Sequence, residues 1–328
     1  MNIGHNILPV FLLSFQVSIV CSFLISIYGH KMSLIDSSNE RKSHYKPTPR
    51  GGGIGIWIAY TGIGLFVLKN HSYVLITSSI GLLGLMEDFF NLSSKLRLTV
   101  QILLTMLLLY LHNKITVSPE GIVFFILWVL FIVGTTNFYN FMDGINGIAG
   151  LTSLVSFGLT GYFSYYILNE PVIALMCISI VAACLAFLPL NIPNAKVFMG
   201  DTGSLFLGFV FASFVLKLSL NINIFFCLIM FLCLFYADAL LTIFYRWKKR
   251  EHLMQAHRKH LYQYLANELK IPHWIVSTIY SGVNLFFGLV ALFTYTKGFV
   301  WQITMLITFS LMFIVCYKQI KTQHHHLT

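Results

Sequence analysis

Glu87, Asp88, Asp143 and Asp201 each stand at the edge of a long apolar run. An ionised carboxylate there is costly unless something offsets it. Asp201 lies between two glycines in "VFMGDTGSLF", directly before an apolar segment. Glu87 and Asp88 are adjacent in "MEDFFNLSSKLR", with Lys95 and Arg97 just beyond. Two neighbouring carboxylates repel each other unless one is protonated or a cation sits between them, and Mg²⁺ is a natural partner for such hard oxygens. In "NFYNFMDGINGIAG", Asn137, Asn140 and Asp143 recur every three residues, which lines them up on one side of a helix end. Their amides both donate and accept, as sugars, bases and phosphates require. Plainer readings stand beside each of these. The acidic pair can be solvated and balanced by Lys95 and Arg97. The amides can cap a turn, and Asp201 can be the N-cap of the helix that follows it.

Two further stretches are cationic. "DSSNERKSHYKPTPRGGGIGI", residues 36–56, carries Arg41, Lys42, Lys46, Arg50 and His44 ahead of three consecutive glycines. It reads either as a basic membrane flank or as a backbone free to approach a ligand closely. Residues 244–272 are basic and aromatic and hold His252, His257 and His260. No cysteine or acid joins these histidines at the spacing of a zinc site. A membrane-surface helix and a set of donors for phosphates and sugar hydroxyls are the alternatives.

The elements that must position these groups are membrane spans. Of 328 residues, 57% are hydrophobic and 10% charged. The mean hydropathy of +0.78 exceeds what a water-facing globule can bury. Eleven apolar segments are expected at 7–28, 52–68, 73–87, 98–111, 121–137, 145–168, 171–189, 203–220, 222–243, 273–294 and 299–317. The first is too long for a signal-peptide core and is taken as a retained helix. The expected fold is an all-α, polytopic transmembrane helical bundle, 1–328 as a single domain. Counting loops alternately, 17 of the 21 Lys and Arg residues fall on one side, in 29–51, 88–97, 138–144, 190–202, 244–272 and the C-terminal tail. By the positive-inside rule that side is cytoplasmic, with the N-terminus outside and the C-terminus inside. Eight of the eleven acids sit in or at the same loops, so the working surface is expected on the cytoplasmic face. The net charge of +10 then reports topology and needs no nucleic acid. All six cysteines lie in apolar runs and read as small hydrophobes.

In order, "PTPRGGG", "MEDFFNLSSKLR", "NFYNFMDGINGIAG", "FMGDTGSLFLG" and "HRKHLYQYL" resemble the motifs of the polyprenyl-phosphate N-acetylhexosamine-1-phosphate transferases. This superfamily contains the MraY, WecA and WbpL types, and the histidine motif is similar to the WbpL-like form. The chain departs from the pattern in three places. Glu87 replaces the first Asp of an Asp-Asp pair, Asn146 stands where many members have a second aspartate, and Tyr262 and Gln263 stand where other branches repeat histidines.

The resemblance implies a reaction at the bacterial inner membrane. Undecaprenyl phosphate attacks a UDP-N-acetylhexosamine, or a UDP-6-deoxy-N-acetylhexosamine, and UMP leaves. The product would start a lipid-linked envelope glycan such as the O-antigen of lipopolysaccharide. Mg²⁺ is the implied cofactor, with Mn²⁺ as the alternative, and pairing into a homodimer is left open. Asp201, Glu87 and Asp88 become the expected catalytic and metal residues. Arg41, Lys95, Arg97, Asn137, Asn140, Asp143, His257, Arg258 and His260 become the expected substrate contacts, and Asp238 is expected to pair with a cation or amide inside the bundle. The rival class is a transporter using intramembrane carboxylates, whose substrate acids should lie near the bilayer midplane.

Overall fold

The structure is a computed structural model and describes residues 4–32, 34–36, 47–112, 118–252 and 257–325. Its architecture is helical, as expected. In chain order the helices are α1 (Gly4–Tyr28), α2 (Gly53–Gly62), α3 (His71–Phe90), α4 (Ser94–Leu111), α5 (Pro119–Phe141), α6 (Ile148–Tyr166) and α7 (Pro171–Asn191). There follow α8 (Gly200–Leu218), α9 (Ile222–Met230), α10 (Cys233–Lys248), α11 (Leu261–Asn267), α12 (His273–Tyr295) and α13 (Phe299–His325). Two short strands, β1 (Ile35–Asp36) and β2 (Thr48–Pro49), pair antiparallel ahead of α2.

Every expected span is helical, but the spans are not uniform. Eight described helices are long and apolar enough to cross a bilayer alone. The segment 222–243 is not one rod, because α9 and α10 meet at an angle of 84°. α2 with its π-helical continuation Ile63–Val67 is shorter than a full span. α6 is diluted by Thr152, Ser153, Ser156, Thr160 and Ser164, all of which point into the bundle and are buried. α13 runs on past 317 to His325.

α8 is the centre of the bundle, with 89% of its apolar window buried. Its sequence is apolar on every side, which is what a helix surrounded by other helices requires. It packs against α3, α5 and α2, while α4 and α13 lie at the periphery. Glycines set how closely these helices approach. A Cβ on Gly53 would lie 2.3 Å from the Cα of Gly203, and one on Gly84 would lie 2.4 Å from the carbonyl oxygen of Asp201. The ends of α2 and α3 are thereby pressed onto the first turn of α8. The chain before α2 also pairs with the chain before α8, the Phe198 amide donating to Pro49 O and the Gly52 amide to Phe198 O, both at 2.8 Å.

Helix breaks in hydrocarbon must satisfy the amides they free. At the α9–α10 corner this falls to buried Asn284 of α12, whose Oδ1 accepts from the Leu234 amide at 2.9 Å and the Cys233 thiol at 3.4 Å.

Candidate active site

The site is built around the first turn of α8. Gly200 enters it with φ +75, a left-handed conformation suited to glycine. Met199 holds the N-cap position and offers no capping side chain. The cap comes from α3 instead. Asp88 accepts from the Asp201 amide at 3.0 Å, the Thr202 amide at 3.0 Å and the Thr202 hydroxyl at 2.7 Å. With 1% exposure, Asp88 is wholly committed to this turn. Asp201 is therefore not an N-cap. It lies within the helix, and its Oδ1 accepts from the Asn140 amide. The same Asn140 nitrogen donates to Ser204 Oγ at 2.9 Å.

Arg50, which the sequence marked only as one of several flanking cations, reaches the same place. Its Nε lies 3.8 Å from Asp88 Oδ1, and its Nη2 donates to the carbonyl oxygen of Asp88 at 2.5 Å. The pairing of residues 49–53 with 198–199 carries it there, a signal no local motif contains. Glu87 points elsewhere. One oxygen pairs with Arg97 at 3.3 Å, and Oε2 is buried without a hydrogen-bond partner.

Asp143 sits in the turn between α5 and α6, half-buried, and its carboxylate forms no ion pair with the described residues. Burial, followed by the negative charges of Asp201 and Asp88, pushes its pKa well above the usual carboxylate range. Asp143 thus feels the charges of the α8 turn. α11 closes over it, because the Tyr262 hydroxyl donates to Phe141 O at 2.8 Å. A Cβ on Gly144 would lie 2.2 Å from that hydroxyl oxygen. Tyr262, one of the departures from the family pattern, thus fastens the histidine motif to the aspartate turn.

The remaining expected contacts divide. Asn137 does not face the acids, donating instead to Gln101 Oε1 at 2.6 Å and Val133 O at 2.8 Å. Lys95 is exposed at the start of α4 and forms no ion pair with the described acids. His260 is 1% exposed, with Nδ1 3.5 Å from Asp238 Oδ1. Asp238 also accepts from the Leu261 amide at 2.8 Å, the Tyr262 amide at 3.2 Å and the Tyr280 hydroxyl at 2.8 Å, so it pairs inside the bundle as expected. The His257 ring lies against that of His260, with centroids 4.9 Å apart and planes tilted by 34°. Burial, then the charges of His260, Arg246 and Lys259, lowers its pKa to about 4, so near neutral pH it is an uncharged hydrogen bonder. Arg258 lines a separate basic pocket, and Arg41 lies outside the described residues.

Among the described residues, no three His, Cys, Asp or Glu side chains already stand at metal-binding distance. The donor set nevertheless fits Mg²⁺, which needs only one or two carboxylates when phosphates and water complete its shell. Among the described residues Asp143 forms no ion pair, and Asp201 accepts a single side-chain hydrogen bond. Asp88 has no such freedom, since its oxygens hold the helix turn.

Fold and site together define an all-helical, multi-pass membrane protein with a carboxylate cluster at one end of its bundle. The model of glycosyl transferase family 4 matches residues 71–219, from the start of α3 to just past the end of α8. An undecaprenyl-phosphate alpha-N-acetylglucosaminyl 1-phosphate transferase of Thermotoga maritima is 26% identical over 204 residues. That match covers 58% of this chain and 60% of the relative's own length. A phospho-N-acetylmuramoyl-pentapeptide-transferase of Staphylococcus epidermidis is 28% identical over 290 residues, covering 76% of this chain and 87% of the relative. One of the same name from Staphylococcus aureus is 32% identical over 127 residues, or 39% of this chain and 38% of the relative. Over these stretches the chain is similar to glycosyl transferase family 4 and to the sugar-1-phosphate transferases just named.

Proposed function

We propose that this protein transfers an N-acetylhexosamine 1-phosphate from a UDP-sugar to undecaprenyl phosphate, on the cytoplasmic face of the bacterial inner membrane. What supports the reading is the hold of Asp88 on the α8 turn that carries Asp201, with the charge of Asp201 felt at both Asp143 and Glu87. Several acids so close together call for a cation. In the step proposed, an oxygen of the lipid phosphate attacks the β-phosphorus of the UDP-sugar. A new P–O bond forms, the bond to UMP breaks, and UMP leaves with the electron pair. A divalent ion, Mg²⁺ or Mn²⁺, would neutralise the diphosphate, and phosphoryl transfer needs chiefly that and correct placement.

Asp201 and Asp143 are the proposed metal ligands, with Asn140 orienting Asp201. Asp88 acts through α8, holding the turn that aims Asp201, and Arg50 holds Asp88. Glu87, with its free buried oxygen, is the proposed base toward the lipid phosphate. Neutral His257 suits a sugar hydroxyl better than a phosphate. An apolar groove of ≈ 340 Å³ bordered by Phe131, Phe138, Tyr236, Ala237, Leu240 and Phe309 is the proposed bed for the start of the isoprenoid tail. Its occupant would be a lipid because its walls are almost wholly apolar.

The transporter reading expects its acids near the midplane, between half-helices. Among the described residues the one bent pair, α9–α10, lacks a free acid at its corner, where Asn284 satisfies the backbone. The test is UMP release from UDP-N-acetylglucosamine, and from a UDP-6-deoxy-N-acetylhexosamine, on adding undecaprenyl phosphate and Mg²⁺ to the purified protein. Release that requires the lipid phosphate supports transfer, and its absence with both sugars rejects these substrates. The sugar that reacts faster identifies the glycan class, an O-antigen start among them.

A further inference from the structure

A second cavity, of ≈ 460 Å³, has none of the clustered carboxylates in its walls and lies between α10, the chain leading into α11, and the end of α13. Its walls carry Arg246, Lys249, Arg258, Lys259, Lys318 and Lys321. Glu251 is the only acid among its lining residues, and it is held by Arg246 at 3.2 Å and Lys259 at 2.5 Å. None of Asp88, Asp143 or Asp201 borders it.

Cations gather at helix C-termini because the helix dipole favours them, which accounts for Arg246 in the last turn of α10. The dipole does not account for cations from three elements turned onto one hollow, where Glu251 offsets only part of their charge and the remaining positive field favours an anion. Arg258 adds a directional sign, because its Nε is buried without a hydrogen-bond partner. The depth of the cavity narrows the choice of anion. The apolar span of α13 ends at Lys321, so Tyr317, Lys318 and Lys321 stand where the bilayer gives way to water. Tyr245 and Tyr317 stack at 5.5 Å and 5° in the same wall. Tyrosines at that level are the usual furniture of the headgroup layer.

We propose that this pocket binds the phosphate of an acidic membrane phospholipid. The site is a hold for a bilayer lipid, separate from the reacting lipid phosphate, and it stands whether or not the transfer reaction is as argued above. Its chemistry is that of any phosphate anion, so the test must separate a lipid source from a free one.

The full chain is placed in nanodiscs of phosphatidylcholine alone, or of phosphatidylcholine with phosphatidylglycerol, and melted. A parallel set of phosphatidylcholine discs receives inorganic phosphate. The wild type is expected to melt higher with phosphatidylglycerol, since a ligand that binds only the folded state raises its stability. The Lys249→Gln/Lys318→Gln variant should lose that increment while melting as the wild type does in phosphatidylcholine. Lys249→Arg/Lys318→Arg should keep it. Native mass spectrometry should find phosphatidylglycerol held about tenfold less well by the Gln variant, given the attraction of each cation near an anionic surface. Equal melting of the wild type in the two lipids would overturn the proposal, and this comparison needs no variant to fold. An increment that survives in the Gln variant would overturn it as well. An increment reproduced by inorganic phosphate would overturn the lipid assignment. No readout involves sugar transfer, so the transfer reaction is judged separately.

Discussion

Asp88 and Asp201 lie side by side at one helix start, yet they do different work, and substitution separates them. Asp201 caps nothing, so Asp201→Asn should abolish UMP release while the melting temperature in detergent barely moves. Retention of more than about a tenth of the wild-type rate, a barrier change under ~1.4 kcal/mol, would exclude a ligand role. Asp88→Ala removes the acceptor of three hydrogen bonds and should lower both activity and stability, the latter by about 1–3 kcal/mol. His257 supplies a pH signature. Its folded pKa of about 4 lies below the ordinary 6.5. Between those values the unfolded chain binds a proton that the folded one refuses, so stability rises with pH through this window and is lost as pH falls through it. His257→Gln should flatten that slope in a melting series from pH 4 to 7. An unchanged slope would mean that the ring is protonated in the folded state.

At the scale of elements, the glycine contacts decide whether the motifs meet. Gly53 and Gly203 touch backbone to backbone, so Gly53→Ala must push α2 off α8. The expected loss is about 1–3 kcal/mol by chemical denaturation, with a fall in activity because Arg50 moves with the chain before α2. A variant of wild-type stability would show that the contact is slack. The apolar runs of the sequence located nearly all the helices, because hydrocarbon burial leaves a long, local, unbroken signal. The corner between α9 and α10 left no such signal. No glycine or proline marks Phe231–Leu232, and the group that makes the break tolerable is Asn284, far along the chain. For the same reason Asp88 read as half of an acidic pair and Asp201 as a plausible cap, when the first caps the helix that contains the second. A cap supplied from another helix has no fixed spacing to search for. Asn137 shows the limit of periodicity, since its three-residue offset from Asn140 does not prevent it from turning toward Gln101.

For the whole molecule, the proposed orientation puts the carboxylate cluster and the basic pocket in the cytoplasm and the short turn before α13 outside. A membrane-impermeant thiol reagent applied to intact cells should reach Lys297→Cys and leave Lys248→Cys unlabelled, in a background lacking the exposed Cys316. The opposite pattern would turn the site toward the wrong compartment for a UDP-sugar. The lysine and arginine asymmetry that motivates this orientation was legible in the sequence, because it depends only on counting charges between spans.

Some helix starts here are held by a side chain from another helix: α8 leans on Asp88, α11 on Asp238 beside its own Gln263, and α10 on Asn284. For the first two, the supporting residue precedes the helix in the chain and is already in place when the ribosome delivers it. For α10 the order is reversed. A nascent chain must carry its bent segment, with the Leu234 amide unmet, until about fifty more residues have been made and α12 has entered the membrane. Closure of this corner is therefore expected only after α12 has entered the membrane.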